Sequence, residues 1–316
     1  MNLLSVLTVL LFASSVLADE QLMRTSLYRQ AMAAFRSVES SLNAQQIHPN
    51  LMNVPADQAQ ACQWRFERTL QNGKMEIHIF GGYIDVDRRG ITTDLYERTA
   101  FVEKLTTRCP DQRPLLKSCG FQRAEDDADL IYKEIEGPEG KMIRVEIQLK
   151  YSSLTTNDVV NRRSPEQVTR SEEVRNAFGL SLKQADVVFY SGHSRGGGGP
   201  SFEPPRLRGG HVDYGWYEKN RPGLQFMLEA LRGRTEPPMT LLGMFSWDSR
   251  RHFLSSLTGL PIRSTVLTRA LITDREAQLA MMSSLNGVLN LSCRDHYGVR
   301  QGAIQVVPLQ TPPAAL

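Results

Sequence analysis

Cysteine is scarce in this 316-residue chain: there are four, none in a C-x-x-C pair and none beside a histidine-rich run. Zinc spacing is therefore missing, and no metal is expected. The acidic cluster Glu125-Asp126-Asp127 lacks the spacing and the glycine of a calcium loop and reads as a solvated turn. A large excess of one charge is missing too, since 37 Lys and Arg face 34 Asp and Glu for a formal +3. The basic residues are scattered rather than striped, so a nucleic-acid interface is not expected. After residue 18 no apolar run approaches the roughly 20 residues that a membrane span needs. The glycine run 196–199 lacks the Gly-Lys-Ser/Thr of a phosphate loop, so no nucleotide and no other cofactor is expected.

What is present is an ordinary globular composition, 41% hydrophobic and 22% charged, enough for one large core or two modest ones. Residues 1–18 carry no charged side chain, and the apolar run Leu3 to Phe12 leads into Ala13-Ser14-Ser15-Val16-Leu17-Ala18. That pattern predicts a signal peptide cleaved after Ala18 and a periplasmic or secreted product. Export makes disulfides available to Cys62, Cys109, Cys119 and Cys293, which allow three connectivities. Pairing Cys109 with Cys119 closes the smallest loop, and Cys62 with Cys293 would then tie an early segment to a late one.

Apolar spacing at Met23, Leu27, Ala31, Ala34, Phe35, Val38 and Leu42 predicts a helix, so 19–60 reads as a helical extension and connector. Residues 61–305 read as one α/β domain. Its first part carries two expected antiparallel strand pairs, 75–79 with 83–86 and 129–135 with 142–149, separated by a helix over 92–107. His78 falls on the polar side of its strand and reads as solvated. Ser164-Pro165 opens a helix through Val174, Phe178 and Leu182. Strands at 186–191, 239–245 and 265–272 then alternate with helices at 224–231, from 248, and at 273–289. That alternation predicts a mostly parallel sheet with helices on both faces. Residues 306–316, with three prolines and no charge, are expected to form a flexible tail.

The chemistry-bearing stretch is Ala185 to Pro200, ADVVFYSGHSRGGGGP, where a buried strand ends in reactive side chains and glycines. Gly192-His193-Ser194-Arg195-Gly196 matches G-x-S-x-G and resembles the nucleophile elbow of α/β-hydrolases, with Ser194 as nucleophile and Asp274 and His296 in that family's chain order. The same family needs a helix directly after the serine, which Gly196 to Gly199 and Pro200 oppose. A serine esterase is thus the alternative reading.

The preferred reading adds the second strand and its end, Leu241-Leu242-Gly243-Met244-Phe245-Ser246-Trp247-Asp248-Ser249. A strand tipped by His193 followed by a strand ending in a small polar turn resembles the caspase-like cysteine peptidases, which include gingipains and clostripain. The resemblance covers about 185–290. It implies a histidine on one tip, a cysteine thiolate on the next, and backbone N–H groups that hold the oxyanion. Trp247 stands where the cysteine would be, and an indole is not a nucleophile. Ser246 points to the opposite face and Ser249 lies further along, so the expectation is a caspase-like scaffold without its dyad, acting as a binding or accessory protein. Arg195, Asp248, Ser249, Arg250 and His252 are the expected cleft residues. With Arg206, Arg208 and Arg251 nearby, guanidinium groups suit a carboxylate, so a peptide or small acidic ligand is the expected partner. His211 to Tyr217 reads as an aromatic lid or as packing beneath the loop.

Overall fold

The computed structural model describes residues 29, 32, 33, 36, 52, 54–86, 90–111, 116–269, 273–293 and 304–310. The expected signal peptide, most of the helix expected over 19–44, His296 and residues 311–316 lie outside the described residues.

The architecture is α/β. Helices α1 (Ala56–Arg65) and α2 (Glu67–Asn72) lead into β1 (Lys74–Gly81), followed by β2 (Asp85–Val86), β3 (Ile91–Thr92) and α3 (Asp94–Thr106). Next come β4 (Gln122–Arg123), β5 (Leu130–Glu136), β6 (Met142–Tyr151), α4 (Asp158–Arg163) and α5 (Pro165–Gln184). Strand β7 (Val187–Ser191) precedes the hairpin β8 (Leu207–Arg208) and β9 (His211–Val212), then α6 (Tyr214–Asn220) and α7 (Pro222–Arg232). The chain closes with β10 (Met239–Phe245), α8 (Ser249–Leu257), β11 (Ile262–Thr268), α9 (Asp274–Leu289) and β12 (Ile304–Pro308).

Eight strands form one sheet in the order β12-β11-β10-β7-β1-β6-β5-β4. Strands β6, β1, β7, β10 and β11 are mutually parallel; β5, β4 and β12 run antiparallel at the edges. Burial explains the composition of the strands. Every residue of β7, β10 and β11 is buried, as suits strands covered on both faces. One core packs Ile77, Val145, Ile147 and Phe189 with Phe101 and Leu105 of α3 and Met281 and Leu285 of α9. The other packs Val188, Tyr190 and Leu242 with Phe178 of α5, Met227 of α7 and Phe253 of α8.

Four expectations are corrected. Residues 75–79 and 83–86 do not make a hairpin: β1 lies between parallel β6 and β7, while β2 pairs with β3. Gly81 and Gly82 serve close approach rather than a turn, since an added Cβ would meet the Tyr151 ring at 2.1 Å or the Tyr190 hydroxyl at 2.3 Å. His78 is half-buried under α5 with Nδ1 2.5 Å from the Ser181 hydroxyl, and desolvation lowers its pKa to about 4. The third parallel strand is 262–268 rather than 265–272, and residues 306–308, expected in the tail, pair with it as part of β12.

All four cysteines are paired, Cys62 with Cys293 and Cys109 with Cys119, at Cα separations of 4.8 and 5.2 Å. Among the described residues no helix is long and apolar enough to cross a membrane.

Candidate functional site at the strand tips

Strands β7 and β10 run side by side with Ser191 opposite Phe245, and beyond that pair the Gly192 N–H still reaches the Phe245 carbonyl at 3.4 Å. Both chains then turn at the carboxyl ends of the strands, the side on which ligands bind in open α/β sheets. His193 and Trp247 face each other there. Their rings meet edge to face, centroids 5.7 Å apart and planes at 86°. Trp247 is 44% exposed, so much of the indole is presented to solvent.

Backbone strain sits on both tips. Arg195 and Asp248 adopt left-handed φ values of 44° and 50°, a conformation that costs a non-glycine residue about 1–2 kcal/mol. At Arg195 the compensation is visible. Its buried guanidinium donates Nε to the Ser201 hydroxyl at 3.0 Å and Nη2 to the Tyr83 carbonyl at 3.1 Å, and pairs with Asp85 at 3.3 Å. Arg195 therefore anchors the loop from inside and does not line the cleft, which corrects its expected place.

The loop after Ser194 is built of overlapping tight turns: the Gly197 and Gly199 N–H groups donate to the Ser194 carbonyl, and Gly198 to Arg195. No helix follows the serine until α6 at Tyr214, so the strand–serine–helix geometry of a nucleophile elbow is not formed. Ser194 is itself buried and donates its hydroxyl to the Trp247 carbonyl at 2.9 Å, which ties the two tips together. The close loop needs its glycines. A Cβ at Gly197 would lie 2.6 Å from His252 Nδ1, and one at Gly199 only 2.0 Å from the Leu224 nitrogen.

Ser249 is also corrected. It is fully buried, donating to the Met244 carbonyl at 2.7 Å and lying 3.1 Å from the Thr268 hydroxyl, so it ties α8 to β11 beneath the cleft. Asp248 is half-exposed with its carboxylate 3.7 Å from Arg251, Arg250 is exposed, and His252 lies behind the glycine loop with its pKa lowered, chiefly by desolvation. Arg206 pairs with Asp213 at 3.5 Å and stacks 5.0 Å from the Trp216 ring; Arg208 is exposed on the β8–β9 hairpin. The aromatic stretch 211–217 is divided, with Tyr214 exposed and Tyr217 packed beneath.

The residue that sequence reasoning missed is Asp85. It is 8% exposed by its side chain, and His193 Nε2 lies 3.3 Å from its carbonyl and 3.9 Å from its carboxylate. Arg162 approaches the same carboxylate at 3.5 Å while gripping Asp158 at 2.6 Å, and Asp158 accepts the Tyr83 hydroxyl at 2.7 Å. The strand-like string Tyr83-Ile84-Asp85-Val86 held no signal of this, because every partner comes from a distant segment. Among the described residues no group of three or more His, Cys, Asp or Glu could hold a metal ion.

Comparison with protein-family models, curated proteins and solved structures finds no match.

Proposed function

We propose that this chain is an exported caspase-like scaffold whose strand-tip cleft binds a peptide or small acidic ligand without cleaving it. The observation that carries the reading is the indole of Trp247 standing edge-on to His193, on the tip neighbouring the histidine, where a peptidase of that kind would need sulfur. An indole supplies a flat apolar surface for recognition and no electron pair for attack. Exposed Arg250 and Arg251 beside it supply positive charge for a carboxylate. Two disulfides suit an oxidising, extracytoplasmic compartment. The serine-esterase alternative gains nothing from Ser194, whose buried hydroxyl is committed to the Trp247 carbonyl.

The test is Trp247→Cys. Because all four native cysteines are paired, the new thiol is the only reporter of alkylation. The reading expects iodoacetamide to modify it at neutral pH at least tenfold faster than the same variant carrying His193→Ala. Equal rates would mean that the imidazole does not activate position 247, and labelling of wild-type Ser194 by a fluorophosphonate would overturn the non-catalytic reading.

A further inference from the structure

We propose that the opposite, N-terminal edge of the sheet carries a buried site for a small multivalent oxyanion of the phosphate or sulfate class, gripped by Arg234 and Arg263. This inference is independent of the strand-tip cleft.

The register places the parts. Ile77 pairs with Val187, Val187 with Leu241 and Met239 with Ile262, so Glu76, Asp186, Thr240 and Arg263 form one transverse row across β1, β7, β10 and β11. Helices α1 and α2 cover that row with Arg65 and Arg68, and the turn before β10 adds Arg234. Less than a tenth exposed at this edge are the guanidinium groups of Arg234 at 9% and Arg263 at 3%, against one carboxylate, Asp186 at 3%. The other acids are more exposed, with Glu76 30%, Glu236 43% and Glu67 48% exposed by side chain. Desolvated positive charge therefore exceeds desolvated negative charge, and a buried charge without a partner is expensive.

Helix capping accounts for part of the cluster only. Arg68 donates Nη1 to the Gln184 carbonyl, and Arg234 donates Nη1 to the Leu182 carbonyl at 3.1 Å, so both sit at the negative end of α5. Arg234 also donates Nε to the Pro237 carbonyl at 2.7 Å. Its remaining nitrogen, Nη2, is buried and has no acceptor, and the same holds for Nε of Arg263, whose Nη2 is taken by Glu67 at 2.9 Å. Desolvation brings the Arg234 pKa down to about 10, with repulsion from Arg68 and Arg263 adding to it and Asp186 and Glu236 opposing it. Two buried guanidinium groups, each with an open donor and each felt by the other's charge, suit an oxyanion with several acceptor lobes better than a monovalent halide.

Inorganic phosphate at low millimolar concentration is the probe, with sodium chloride at matched ionic strength as reference, on the mature full chain. The site predicts a saturable rise in Tm and saturable broadening of the phosphorus NMR line, matched by sulfate in the thermal assay. Both responses weaken at least tenfold in Arg234→Met and Arg263→Met and survive in Arg123→Met, which removes an exposed charge from the edge strand β4. A response equal to that of chloride, or one undiminished in Arg234→Met, overturns the proposal. Should the buried variants fail to fold, the wild-type phosphorus titration decides it, since an unbroadened line means no site.

Discussion

The carboxylate of Asp85 lies 3.3 Å from the guanidinium of Arg195, and both are buried beneath the strand tips that carry His193 and Trp247. The pair joins β2 to the turn that follows β7. It also sets the floor on which His193 rests, since the Asp85 carbonyl is within 3.3 Å of the imidazole. The two facing aromatic rings therefore stand on an ion pair made by Asp85 of β2 and Arg195 of the turn after β7.

Removing one half of that foundation should cost more than removing both. Asp85→Ala leaves Arg195 buried without its carboxylate and is expected to lower stability by about 3–5 kcal/mol. The double variant Asp85→Ala with Arg195→Met should recover part of the loss. Urea unfolding of the four corners of this cycle measures the coupling, and an additive result would show that the pair is not acting as a unit.

Asp94 should make the protein more stable in mild acid. It is completely buried at the start of α3, accepting the N–H and the hydroxyl of Ser153, and desolvation raises its pKa to about 6 from 3.8. A raised acid holds its proton in the folded chain after the unfolded chain has lost it. Its contribution is thus complete below about pH 4 and fades as pH rises through about 6, an effect on the order of 3 kcal/mol. The Asp94→Asn variant should remove this component, so the difference in unfolding free energy between wild type and variant should change between pH 4 and 7.

His78 acts in the opposite sense over an overlapping window. Burial lowers its pKa to about 4 from 6.5, so the unfolded chain binds the proton more tightly than the folded one. Stability from this group is present above about pH 6.5 and is lost as pH falls through about 4, again on the order of 3 kcal/mol. His78→Gln, which can still meet the Ser181 hydroxyl, should flatten the acid limb of the stability profile. An unchanged limb would place the imidazole in solvent.

The two disulfides should differ in worth. Cys62–Cys293 closes a separation of 231 residues and Cys109–Cys119 one of 10. Chain entropy assigns about 5 kcal/mol to the longer loop and about 3 kcal/mol to the shorter. Replacing the first pair by alanine should therefore lower the urea midpoint further than replacing the second, and the reverse order would show that unfolded-chain entropy is not what these bonds restrict.

Much of the fold is legible without coordinates. The apolar run Val187 to Tyr190 and the run at 239–245 mark strands covered on both faces, and the helix expected over 273–289 forms as α9. The pairing of the first two strands is not legible, for a physical reason. Alternation at Met75, Ile77 and Ile79 is the same for a hairpin strand as for a central strand, and Gly81-Gly82 looks like a turn until Tyr151 and Tyr190 are seen packed against it. The places of the arginines are not legible either, because a guanidinium near a strand tip gives no sign of whether it faces water, as Arg250 does, or a buried carboxylate, as Arg195 does.

By itself the sequence determined where strands give way to glycine, that four cysteines suffice for two bonds, and that position 247 carries an indole. Only the tertiary structure decided that β1 lies beside β7, that Asp85 reaches under His193, and that four arginines gather at the far edge. The physical reason is range: side-chain periodicity records whether a face is buried over a few residues, whereas the partner across that face is chosen by packing between segments that the chain order keeps far apart.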